Sequence, residues 1–183
     1  MIIPPTGGFV KCYRKILKDK KSKMLNIILI CLDRAKDSYF RAAMDEYIKR
    51  ISKYAKFTEK VIKPENLPDN PSKALIDAAL SKEADAVLGA IPKNAYKIAM
   101  CVEGKLMSSP ELASLISKRA VDGFSDIVFI IGSSHGLSDK VKNACDLKLS
   151  VSPMTFAHGL FAVMLCEQIY RAFTINAGEK YHK

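Results

Sequence analysis

Five consecutive apolar residues, Ile127-Val128-Phe129-Ile130-Ile131, constrain this chain more than any other stretch. Four of the five are β-branched, and the run is far too short to span a bilayer. A strand wetted on one side would alternate polar and apolar side chains. An unbroken run instead predicts a strand buried on both faces, as in a parallel sheet covered by helices. The run stops at Gly132-Ser133-Ser134-His135-Gly136-Leu137, where two glycines allow backbone geometry or a close approach that a side chain would forbid. A helix over residues 138–146 follows, then a strand over 147–151 and the loop Ser152-Pro153-Met154-Thr155-Phe156-Ala157-His158. A long helix over 159–175 and the tail Gly178-Glu179-Lys180-Tyr181-His182-Lys183 close the chain. Two strand-to-loop exits thus fall close together, and in open α/β sheets such exits form the ligand crevice.

The upstream pattern agrees. Residues 25–32 read as a buried first strand, and residues 37–54 as a helix with Met44, Tyr47, Ile48 and Ile51 on one face. A second strand spans 57–62 and a loop 64–71. Ser72 is placed to cap a helix running to about Ala90. Residues 97–102 form the third strand, Glu103-Gly104-Lys105 a loop, and Ser109-Pro110-Glu111 opens a helix to about Val121. This strand–helix alternation predicts an α/β domain with a mostly parallel sheet flanked by helices.

Composition enters where it excludes. Five cysteines (Cys12, Cys31, Cys101, Cys145, Cys166) are odd in number, scattered and without a C-x-x-C pair. Free thiols in a reducing cytosol are expected, rather than a disulfide framework or a zinc site. No His/Cys/Asp/Glu group has metal-ligand spacing, so no metal is expected. No segment reaches transmembrane length, so no membrane partner is expected either, and the expected location is cytoplasmic. The net charge is +10, but residues 1–23 carry seven of the 29 Lys/Arg and one of the 19 acids, hence +6 of it. The remainder is mildly basic, which permits nucleic-acid binding without demonstrating it. Residues 1–23 read as a basic extension on a single domain over 24–183. That extension is an RNA-touching disordered arm, a transit peptide, or sequence upstream of a true start at Met24, the last being preferred.

The ending is distinctive. Strand-Ile-Gly-x-x-x-Gly-Leu is followed by Leu-Ser-x-Ser-x-Met-Thr-Phe-x-His, then by Glu167-Gln168-Ile169-Tyr170-Arg171-Ala172-Phe173 and Tyr181-His182-Lys183. From about Met24 to Lys183 this resembles the RlmH family, small SPOUT-class methyltransferases acting on large-subunit ribosomal RNA. The resemblance implies S-adenosylmethionine as cofactor, a homodimer, a C-terminal trefoil knot, and methylation at N3 of a pseudouridine in 23S rRNA of the large subunit or assembled ribosome. The closing helix is apolar almost all round, with Phe161, Leu165, Ile169 and Phe173 on one side and Leu160, Val163, Met164 and Tyr170 on others. Such a helix needs cover on every face, from its own domain or from a symmetric partner.

The resemblance carries donor contacts onto Met100, Gly132, Gly136, Val151, Ser152, Pro153, Met154, Thr155 and Phe156. The catalytic side falls to His158, Arg171, Tyr181 and His182, the last two from the neighbouring subunit. Taken alone, the glycine pair would be an ordinary turn, His158 a helix cap, Arg171 a surface charge and His182 a tail residue. His135 receives no role. Four residues depart from the family pattern: Ser133 where glycine usually repeats, Ala157 for proline, Ala162 for arginine, and Cys101 for an acid. Ser133 is tolerable at negative φ. Ala162 reads as a positive charge lost near the RNA face. Two functions therefore compete: an active rRNA methyltransferase, and a weakened relative that binds ribosomal RNA or the ribosome without methylating it. A nucleotide-binding α/β protein of other function is a third, which leaves the tail motif unexplained.

Overall fold

The computed structural model describes residues 24–34 and 37–182; the readings of residues 1–23, Cys12 among them, and of Lys183 lie outside the described residues. Five strands, β1 (Asn26–Leu32), β2 (Lys56–Ile62), β3 (Tyr96–Leu106), β4 (Asp126–Ile131) and β5 (Leu147–Ser150), pair in the order β2-β1-β4-β3-β5, every pair parallel. Between and after them run α1 (Ser38–Ile51), α2 (Lys73–Ala90), α3 (Ser109–Val121), α4 (Asp139–Ala144) and α5 (His158–Ala177). The expected parallel sheet flanked by helices is the observed one.

The apolar run on β4 divides by parity. Ile127, Phe129 and Ile131 face a core built with α1, α3 and α5, through Met44, Ile116, Leu165, Ile169 and Phe173. Val128 and Ile130 face the opposite layer, where Ala84 and Val87 of α2 and Val141 of α4 cover them. β1 and β3 divide the same way, since successive side chains point to opposite faces. Central strands with both faces dry explain why no polar residue interrupts 127–131.

Local signals set the helix starts. Ser72 accepts from the Leu75 amide, as expected. At α3 the cap is Ser108, in a reciprocal capping box with Glu111, and Pro110 sits in the first turn. One element departs from expectation: β3 runs on to Leu106 through residues read as a loop. Its register against β5 shifts between Met100 and Lys105. Gly104 makes this possible, because a Cβ there would stand 2.6 Å from the Leu149 carbonyl carbon. The strand kinks past β5 instead of ending, a bulge that sequence alternation does not announce.

α5 is buried along Leu165, Cys166, Ile169, Ala172 and Phe173, while Leu160 near its start remains 40% exposed. Among the described residues no helix is long and apolar enough to cross a membrane. Cys31, Cys101, Cys145 and Cys166 are free, as expected of the four that fall there.

Candidate active site

The carboxyl ends of β1, β3, β4 and β5 open into one cleft of about 850 Å³. Leu32 and Asp33 enter it from β1, Met100 to Glu103 from β3, Ile131 to Leu137 from β4, and Leu149 to Ser152 with Met154 to Phe156 from β5 and the loop after it. The segment between β2 and α2 (63–72) forms a further wall. Position follows topology: the chain moves outward from β1 to β2, then resumes on the other side, leaving a crevice at the reversal.

The turn after β4 is tight. The Gly136 amide donates to the Ser133 carbonyl at 2.8 Å, and Gly136 has φ +81°, in the left-handed region. Gly132 is required for a different reason: a Cβ on it would lie 2.3 Å from the Gly136 carbonyl carbon and oxygen. Ser133 is not among the positive-φ residues, so the substitution of serine there carries no backbone strain. Its hydroxyl donates instead to Glu83, at 3.1 Å.

The loop after β5 is shaped by its own serines. The Ser150 hydroxyl donates to the Ser152 carbonyl at 2.9 Å, and the Ser152 hydroxyl accepts from the Met154 amide at 3.0 Å. Phe156 stacks on Phe161 with ring centroids 6.4 Å apart. His158 opens α5 and lines the cleft. It is not the cap, which falls on Ala157 and makes no side-chain hydrogen bond.

Of the nine residues singled out for donor contacts, Met100, Gly132, Gly136, Val151, Ser152, Met154, Thr155 and Phe156 all line this cleft, together with His158. Pro153 does not; it lies exposed in the same loop. Arg171, Tyr181 and His182 are elsewhere in the chain. Arg171 donates to Glu167 from Nε at 3.0 Å and from Nη2 at 2.6 Å, and its guanidinium lies 4.7 Å from the centre of the Tyr181 ring. The Tyr181 hydroxyl donates to the same Glu167 oxygen at 3.0 Å. Burial first, then that bond, pushes the Tyr181 phenol up to about 12. The tail is further fastened by Glu179, which accepts from Lys53 at 2.8 Å and from the Tyr54 hydroxyl at 2.7 Å.

Ala162 corrects an expectation. It is 2% exposed, four residues before buried Cys166 on the core-facing side of α5, and so is not a position on an exposed RNA face. Neither substitution on which the weakened-relative reading rested, Ser133 or Ala162, disturbs the cleft.

Sequence reasoning missed Glu83, Glu65, Asp33 and the acidic rim formed with Asp69 and Glu103. Lys142 reaches Glu103 at 2.5 Å and holds its carboxyl below the ordinary range. A signal existed for Glu83: it lies four residues from Ala79 and four from Val87, on the buried stripe of α2.

The sequence matches the model of predicted SPOUT methyltransferases over residues 25–182. The chain belongs to the SPOUT methyltransferase family. Ribosomal RNA large subunit methyltransferase H of Clostridium novyi (strain NT) is 45% identical over 159 residues, covering 87% of this chain and all of the relative. The proteins of the same name from Oenococcus oeni and Clostridioides difficile are 42% and 43% identical, each over 87% of this chain and all of the relative. In this SPOUT chain the cleft and the tail cluster are two separate concentrations of polar groups.

Proposed function

We propose that this chain is an S-adenosylmethionine-dependent methyltransferase acting at N3 of a pseudouridine in 23S ribosomal RNA, as a cytoplasmic homodimer. One observation carries the reading: eight of the nine donor-contact residues and His158 converge on a single cleft at the sheet's carboxyl edge. The cleft's chemistry suits the donor. Met100, Ile131, Leu137 and Leu149 give it a buried apolar floor, and Asp33, Glu65 and Asp69 give its walls negative charge facing a cationic ligand, Glu103 being paired with Lys142. The relatives' names supply the substrate class, large-subunit ribosomal RNA.

When bound, the donor supplies an electrophilic methyl group on a sulfonium. The chain must do the rest. Its turn at Gly132 and loop at 151–156 bind through main chain and apolar contact, and exclude water. An imide nitrogen attacks only after losing its proton, so a base must stand near it. His158 lies on the cleft wall, and the partner subunit's His182 would approach from outside. Tyr181, held protonated by burial and by its bond to Glu167, serves as a hydrogen-bond donor rather than as that base. Arg171, anchored on Glu167, presents a guanidinium for a carbonyl or phosphate oxygen of the RNA.

The test uses radiolabelled S-adenosylmethionine with ribosomes from cells lacking the gene, followed by mass spectrometry of the RNA. One methyl group on one pseudouridine is expected. Deleting residues 181–183 should abolish transfer while donor affinity, read by calorimetry, stays nearly intact. No donor binding by the full chain, or undiminished turnover without the tail, overturns the reading.

A further inference from the structure

Glu83 is 6% exposed, and no Lys or Arg forms an ion pair with it among the described residues. Its carboxylate is instead satisfied by two neutral donors: the Glu65 amide at 3.0 Å and the Ser133 hydroxyl at 3.1 Å. A buried carboxylate needs such donors, so this placement is costly unless it serves something. All three residues line the donor cleft, on two different walls. The wall at 63–71 has little else to hold it. Outside helices and strands, no backbone–backbone hydrogen bond begins or ends within it among the described residues. The Lys82–Glu65 pair, at 3.5 Å and with the lysine 71% exposed, adds little.

We infer that Glu83 is a positioning residue for the donor site, a buried latch that ties the 63–71 wall to the glycine turn. This rests on the reading of the cleft given above. It also gives Ser133 a purpose, because only a side chain bearing a donor at that position can close the second bond. The latch acts by geometry, not by charge. A glutamine at 83 can accept from the Glu65 amide with its carbonyl and donate to the Ser133 oxygen with its amide, since a hydroxyl both donates and accepts.

Three variants separate the possibilities: Glu83→Ala, Glu83→Gln and Ser133→Ala. With S-adenosylmethionine as probe, Glu83→Ala should weaken binding about tenfold, Ser133→Ala about threefold, and Glu83→Gln less than about threefold. In turnover, the donor KM of Glu83→Ala should rise by a larger factor than kcat falls. Hydrogen exchange of the Glu65 amide, measured without donor, should speed up in Glu83→Ala and in no way depends on the reaction assigned to the cleft. Ser133→Ala keeps the carboxylate and reads the latch even if Glu83→Ala fails to fold. Unchanged exchange and binding in Glu83→Ala and Ser133→Ala overturn the proposal. So does Glu83→Gln binding as poorly as Glu83→Ala, which would put the charge itself on the donor. If the wild-type chain binds no donor yet the exchange result holds, the latch stands and the assignment of the cleft falls.

Discussion

The two glycines of the turn after β4 should fail differently when each gains one methyl group. In Gly132→Ala the new Cβ would sit 2.3 Å from the carbonyl carbon and oxygen of Gly136, and 2.8 Å from the Leu137 nitrogen. Carbon atoms rest about 3.5 Å apart, so the turn must open by about 1 Å. The obstructing atoms are backbone, and no side chain can swing aside. Overpacking costs about 1–3 kcal/mol, and this case belongs at the upper end. For a chain of this size, about 3 kcal/mol lowers Tm by roughly 6–12 °C. In Gly136→Ala nothing lies within 4 Å of the new Cβ, and the penalty is only that of a left-handed φ of +81°. That costs about 1–2 kcal/mol. Gly89→Ala is the control: near the end of α2, with open space and no positive φ, it should stabilise by about 0.5–1 kcal/mol. Urea denaturation gives the three free energies and calorimetry the donor affinity. Gly132→Ala should lose donor binding more than tenfold, because the wall of the cleft moves about 1 Å. Equal destabilisation by the two turn substitutions, or wild-type donor affinity in Gly132→Ala, refutes the reasoning.

Two further outcomes follow from the electrostatics. Burial pushes the thiols of Cys31 and Cys166 up to about 12, so neither should react with iodoacetamide at pH 8 while the chain is folded. Half-buried Cys101 lines the cleft and should react slowly, more slowly still with S-adenosylmethionine present; peptide mass spectrometry reads all three, and prior labelling of Cys31 or Cys166 contradicts the packing. Glu179 is held below the ordinary carboxylate range by Lys53 first and then Tyr54. Its contribution is therefore present above about pH 4.3 and is lost as pH falls through its lowered folded value. Glu179→Gln should lower Tm at pH 7, with the gap to wild type narrowing as pH falls below about 4.3; a gap that does not change with pH refutes the pairing.

What the sequence made legible was whatever rests on local chemistry. The run 127–131 announced a strand dry on both faces, and parity then assigned its side chains to two cores. Ser72, Pro110 and the glycines at 132 and 136 marked ends and turns because their conformational or hydrogen-bonding demands are their own. Glu83 was obscure because its value depends on partners 18 and 50 residues away, which no window along the chain brings together. Ala162 was misplaced for a related reason. A helix apolar on several sides does not reveal which side meets its own sheet, and only the packing of Cys166 and Ile169 fixed it. The continuation of β3 past Met100 depended on the approach of β5 to Gly104, again a distant backbone.

The tail poses a distance problem that one chain cannot solve. The Tyr181 hydroxyl is fastened to Glu167, nine residues along α5 from His158. Nine residues of helix span about 14 Å, whereas reacting atoms must approach to about 3–3.5 Å. If the tail and the cleft serve one reaction, the tail belongs to another copy. Complementation reads this directly. A variant lacking residues 181–183 keeps a sound cleft, and Gly132→Ala keeps a sound tail; neither alone should methylate. Mixed and reassociated in equal amounts, half the dimers are hybrids, and each hybrid holds one sound cleft facing one sound tail. Recovery of about a quarter of wild-type turnover is expected. Recovery of none, with hybrid formation verified by native mass spectrometry, would mean that cleft and tail do not meet across the dimer.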